Sequence, residues 1–141
     1  MPHTDTAPRD IAAGTLLEVG DDRIVLGLPD TDYRLYLRID GPITAPLNKP
    51  IRGRITARAR RVDRIRRGGR FIEPIYGRPR RLQGRISATD PAANTMTVTA
   101  GGDCPFVCQL VTDQSAGDLR PGWLVGFDVE SGAAFEPMDD Q

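Results

Sequence analysis

The sequence predicts an all-β protein of two tandem, five-stranded small barrels packed together, the first extended by a basic β-hairpin. Three observations lead there. Short runs of alternating or β-branched residues recur about ten positions apart between 15 glycines and 12 prolines, the spacing of a small antiparallel sheet protein. The order of these runs repeats once along the chain. The arginines concentrate where the first copy is longest.

The first copy opens with Gly14 to Val19, Arg23 to Leu26 and Tyr33 to Ile39, with Gly20-Asp21-Asp22 and Leu28 to Asp32 supplying turn chemistry between them. No stretch sustains a helical period, although Gln114 to Leu119 has the length of a single turn. Gly14-Thr15-Leu16 is matched by Gly84-Arg85-Ile86, Arg23 to Leu26 by Thr95 to Val98, and Tyr33 to Ile39 by Phe106 to Thr112. Pro50-Ile51-Arg52-Gly53 is matched by Pro121-Gly122-Trp123-Leu124, and the closing Phe71-Ile72-Glu73-Pro74 by Phe135-Glu136-Pro137. Five elements in one order imply a duplicated unit that closes on itself or on its twin to bury an apolar face. Residues 1–10 then read as a flexible tail, 11–79 as the first barrel and 80–138 as the second, acidic barrel. The first copy is longer between its matched ends, and the excess falls among the arginines. This outlines a long hairpin with Arg66-Arg67-Gly68-Gly69-Arg70 as its turn.

On these elements the chain resembles tandem OB-fold proteins, which implies OB-like barrels and an oligonucleotide-binding face that includes the third strand. Residues 83–88, 110–115 and 119–125 are similar to the molybdate-binding OB modules, which implies a small oxyanion as a further alternative ligand. Those modules carry a basic residue after the last strand. Here Asp128-Val129-Glu130-Ser131 stands in its place, and the first half lacks the pattern.

A formal net charge of zero conceals a partition. Residues 1–48 carry −4, residues 49–85 carry +12 and residues 86–141 carry −8. Clustered positive charge concentrates polyanions and releases their counterions. Along the strand from Ile51, the small apolar set Ile51, Gly53, Ile55, Ala57 and Ala59 alternates with Arg52, Arg54, Thr56, Arg58 and Arg60, so the arginines face water. Val62 and Ile65 cannot both keep that phase, which predicts a β-bulge after Arg60-Arg61. Arg64, Arg66, Arg67 and Arg70 then crowd the hairpin tip. In the third strand, Tyr33, Leu35, Leu37 and Ile39 point inward, and Arg34, Tyr36 and Arg38 outward. A tyrosine between arginines offers a stacking plane flanked by phosphate donors. The candidate binding residues are therefore Arg34, Tyr36, Arg38, Arg52, Arg54, Arg58, Arg60, Arg64, Arg66, Arg67 and Arg70. Nucleic acid, single-stranded by preference, is the expected partner. The alternative is an acidic protein surface, including that of a second copy in a homo-oligomer.

Enzymatic chemistry finds little support. The sole histidine, His3, lies in the predicted tail, and no Gly-rich phosphate loop occurs. No cofactor or metal is expected. Cys104 and Cys108, on one strand face about 13 Å apart, cannot bridge each other and read as packing residues. Trp123, Phe71 and Phe135 read as core, and Glu73 and Glu136 as local partners. No apolar run approaches the roughly 20 residues of a membrane span, and residues 1–8 lack the apolar core of a secretory signal; a cytoplasmic location is expected.

Overall fold

In the computed structural model, which describes residues 10–111 and 114–138, the alternating runs become eleven strands. They are β1 (Ala12–Val19), β2 (Arg23–Gly27), β3 (Arg34–Ile39), β4 (Pro50–Arg64), β5 (Phe71–Glu73), β6 (Tyr76–Gly77), β7 (Arg81–Asp90), β8 (Thr95–Thr99), β9 (Pro105–Leu110), β10 (Leu124–Val129) and β11 (Ala134–Pro137). Two single-turn 3-10 helices, Gly101–Asp103 and Ala116–Asp118, interrupt them, the second inside the turn expected at Gln114 to Leu119. The all-β expectation holds, and the strands join into one large mixed sheet. The expected tail lies outside the described residues except for Asp10, as does His3. No helix among the described residues is long and apolar enough to cross a membrane.

The pairings trace two circuits. β1, β2 and β3 form an antiparallel meander; β3 runs parallel to β11, β11 antiparallel to β4, and the start of β4 pairs back with β1. Likewise β7, β8 and β9 form a meander; β9 runs parallel to the later part of β4, β4 antiparallel to β10, and β10 pairs back with β7. Each circuit thus draws its fifth strand from the other half of the sequence. Strand pairing therefore crosses between residues 11–79 and 80–138 where β11 meets β3 and β4 and where β4 meets β9 and β10.

The reason lies in β4. At 15 residues, it extends about 50 Å, roughly three times an ordinary strand. Its inward set, Ile51, Gly53, Ile55, Ala57 and Ala59, is buried along the whole run, so one face serves both circuits. After Ala59 the strand bulges as predicted. Arg61 takes a left-handed φ of 58°, and Arg61 and Val62 together stand opposite Phe127. The slip turns Val62 back into the core, and the Gln114 side-chain amide clamps it, accepting from Val62 N at 2.7 Å and donating to Val62 O at 2.9 Å. The predicted long hairpin is corrected. β4 pairs with β1, β9, β10 and β11, whereas β5 is three residues long and pairs with β7, Phe71 opposite Gln83. Phe71 is consequently half-buried and Phe135 fully buried, and the two do not occupy matched places.

The repeat itself reappears in the backbone. β1 bulges between Leu16 and Glu18 against β2, and β7 bulges between Ile86 and Ala88 against β8. Gly14 and Gly84 stand opposite Ile51 and Val125, and neither can carry a side chain: a Cβ would lie 2.7 Å from Gly27 O in one and 2.3 Å from Thr99 O in the other. Asn48 and Gly122 both take left-handed φ, 64° and 94°, and donate to Leu16 O and Ile86 O at 2.6 and 2.7 Å. The structural correspondence shifts β10 by three residues from the sequence match and β9 by two. Leu35 therefore matches Phe106, since they stand opposite Leu26 and Val98. A shift of two leaves the side-chain phase unaltered.

One continuous apolar cluster fills both circuits, with Leu16, Ile24, Leu35, Ile55, Leu82, Val98, Phe106, Phe127 and Phe135 essentially inaccessible. Cys104 and Cys108 belong to it as free thiols. Burial pushes the Cys104 thiol up to about 12 and raises that of Cys108 as well, so both pack as small hydrophobes.

Candidate polyanion-binding face

The predicted Arg34, Tyr36 and Arg38 do share the outward side of β3, whose inward residues Leu35 and Leu37 are buried. Antiparallel register places Arg23 of β2 opposite Arg38, and Val25 opposite Tyr36. On the other side, β6 runs parallel to β3 with Tyr76 opposite Arg34, held by Arg34 N donating to Ile75 O at 2.8 Å. Ile72 N donates to the Tyr33 hydroxyl at 3.2 Å, tying the preceding strand to the same edge.

These placements assemble two aromatic planes. The Tyr36 and Tyr76 rings meet edge to face, centroids 5.5 Å apart at 63°. Arg23 lies over the Tyr36 ring at 4.2 Å and Arg34 over the Tyr76 ring at 5.9 Å. A guanidinium on a ring face keeps its edge donors free for an oxyanion. Hydrogen bonding with Tyr76, followed by partial desolvation, raises the Tyr36 hydroxyl above its ordinary range. Beside the pair, a cleft of about 360 Å³ is lined by Arg23, Tyr36, Arg38 and Arg78 together with Asp22. A second cleft, of about 370 Å³, shares Arg38 and Gly132 with the first and continues to Thr56, Arg58 and Asp40.

The remaining predicted arginines are distributed otherwise. Arg52, Arg54, Arg58 and Arg60 do lie on the outward side of β4, but β10 and β11 bring carboxylates alongside them. Arg54 pairs with Asp10 at 2.9 Å and Glu136 at 3.2 Å; Arg58 and Arg60 meet Glu130 at 3.0 and 3.6 Å; Arg61 meets Asp128 at 3.8 Å. Hydrogen bonding to Asp10 raises the Arg54 pKa further. The acidic half thus neutralises much of the basic strand within the chain. Arg70 pairs with Asp103 at 2.6 Å, Arg64 stacks on Trp123 at 4.2 Å, and Arg66 and Arg67 stand exposed in the loop after β4.

Sequence reasoning passed over Arg23 and Tyr76. Arg23 was legible, since hairpin register sets the start of β2 against the end of β3. Tyr76 was not, because a two-residue parallel pairing leaves no periodic trace. Among the described residues, no group of three or more His, Cys, Asp or Glu side chains is placed to hold a metal ion. Comparison with protein families, with curated proteins and with solved structures finds no match to this chain.

Proposed function

We propose that the protein is a cytoplasmic, non-enzymatic nucleic-acid-binding module, built as two OB-like barrels that share β4, with the outward face of β2, β3 and β6 taking a single strand. The observation that carries this reading is the tyrosine pair, each ring bearing a guanidinium, at the edge of an arginine-lined cleft. Bases stack on aromatic planes whatever their identity, while arginines neutralise the phosphates between them. Tyr36 and Tyr76 supply the planes; Arg23, Arg34, Arg38 and Arg78 supply the charge. Docking on an acidic protein surface or a second copy is less favoured, because Arg54, Arg58, Arg60 and Arg61 already meet carboxylates of their own chain.

The test is fluorescence anisotropy of labelled single- and double-stranded oligonucleotides between about 50 and 200 mM salt. Four neutralised phosphates on a single strand give a log-log salt slope of about −3. Replacing Tyr36 and Tyr76 by Ala weakens binding by about 1–3 kcal/mol for each base that loses its stack. Absence of binding at the lowest salt, or equal binding by the doubly substituted variant, overturns the proposal.

A further inference from the structure

The second half carries a pocket that the nucleic-acid reading does not use. Trp123 stands at the entry to β10, half-buried, with its backbone fixed on both sides: it donates to Arg120 O at 3.2 Å and accepts from Ile86 N at 2.9 Å. The Arg64 guanidinium lies 4.2 Å from the centre of its ring. Arg85, on β7, donates to Gly122 O at 2.9 Å, which holds its head group at the same place. Arg66 enters from the loop after β4, anchored one residue earlier by Ile65 N donating to Leu124 O at 2.8 Å. Around these groups is a cavity of about 170 Å³, lined by Arg64, Arg66, Arg85 and Trp123 and by no carboxylate.

Charge sets this pocket apart from the rest of β4. Ion pairs accompany the strand's arginines as far as Arg61 with Asp128, and among the described residues none reaches Arg64. Arg64, Arg66 and Arg85 make no ion pair among the described residues. Three like charges converging on one small cavity repel one another, which a bound anion relieves. The repeat supplies an internal control. Leu16 N donates to Lys49 O at 3.1 Å as Ile86 N does to Trp123 O, so Lys49 is the counterpart of Trp123; Thr15, opposite Pro50, is the counterpart of Arg85, opposite Leu124. The duplicated backbone therefore forms without a tryptophan or arginine at these positions, and packing alone does not call for them.

We infer that the Trp123 pocket binds a phosphoryl oxyanion. Its volume is well below the roughly 300–1,000 Å³ of pockets that enclose whole small molecules, so it takes a single tetrahedral group while the remainder of any larger ligand stays outside. Arg64, stacked on the indole, offers its edge donors to two oxygens at once, and Arg66 and Arg85 close on the others. The group is a free phosphate, a terminal phosphomonoester or a backbone phosphodiester.

Trp123 is the only tryptophan in the chain, so its emission reports this pocket alone. The experiment titrates the full-length protein with inorganic phosphate, an oligothymidylate with a 5′-phosphate and the same oligomer without one, against sodium chloride at matched ionic strength. Saturable change in emission with phosphate but not with chloride is expected, weakened at least tenfold in Arg85→Ala and in the loop variant Arg66→Ala, both checked for native circular dichroism. Response to the 5′-phosphorylated oligomer alone identifies a terminal phosphate as the natural group, and response to both oligomers identifies a backbone phosphate. In Tyr36→Ala the phosphate response persists. A wild-type protein that responds to phosphate yet binds no oligonucleotide sinks the nucleic-acid reading and leaves this inference standing. No response to any phosphate probe, or one unaltered in both arginine variants, overturns it.

Discussion

The two halves share a backbone and part company on its surface. Register matches Arg23 with Thr95, Arg34 with Pro105, Tyr36 with Val107 and Arg38 with Gln109. One face is aromatic and cationic; its twin is neutral. Both halves bury the same kind of residues beneath, Leu35 and Leu37 in one and Phe106 and Cys108 in the other. The scaffold therefore folds equally well under either surface, and Tyr36 with its arginines is not there to hold β3 in place. The duplicated unit lets one half serve as the reference for the other.

The comparison is broken most severely by removing what joins the halves. Phe135 lies at full burial in β11, opposite Ile55 of β4 and beside Ile39 of β3. Phe135→Ala costs about 3–5 kcal/mol. Because β4 belongs to both circuits, urea unfolding followed by Trp123 fluorescence and by circular dichroism stays a single coincident transition at lower midpoint. Two separated transitions would mean that the halves are independent units.

Transplanting the surface sharpens the comparison. Giving β3 the residues of β9 at two positions, Tyr36→Val with Arg38→Gln, lowers oligonucleotide affinity by about 1–3 kcal/mol for the lost stacking. Stability changes little, since the twin face already carries Val and Gln on the same backbone. A fall in urea midpoint as large as that of Phe135→Ala would assign these residues to the fold instead.

The halves also differ in what alkali does to them. Cys104 and Cys108 occupy the places of Tyr33 and Leu37, and burial raises both thiols. Their protonated state favours the native fold fully below the unfolded thiol value near 8.5. As pH climbs from there toward about 12 for Cys104, the unfolded chain ionises and the native one does not. Stability falls by up to about 1.4 kcal/mol per pH unit for each thiol. The variant with both cysteines replaced by Val shows a shallower alkaline decline in urea midpoint, and a disulfide reagent labels the native wild type only after unfolding.

Least is expected from the ion pair between Arg54 and Glu136, whose side chains are about half exposed. Glu136→Gln shifts stability by less than about 1 kcal/mol.

Much of this was legible in the sequence where side-chain period decided it. The inward and outward sets of β3 and β4 followed from alternation, the bulge at Arg61 from Val62 and Ile65 being unable to share one phase, and the fate of the cysteines from their place on an apolar face. What escaped was pairing at long range. Nothing in Ala134 to Pro137 announces that this strand lies along β3, and Glu130 and Asp128 reach the arginines of β4 only because β10 does. The arginine-rich segment therefore looked more available than it is: Arg34, Tyr36 and Arg38 hold their place in the candidate face, whereas Arg54, Arg58 and Arg60 are matched by acids from the far half.

The crossing of fifth strands also imposes a timetable. During synthesis, β1, β2 and β3 emerge early and the start of β4 soon after, yet the end of β3 at Arg38 and Ile39 has no partner on the side away from β2 until β11, the last of the eleven strands, has been made. The parallel edge beside Arg38 stays open while the whole second half is translated. The second circuit, by contrast, closes as soon as β10 appears, since its fifth strand was made long before. The half made first is thus the half completed last, and the edge beside the arginine-lined cleft is closed only after the second half has been made.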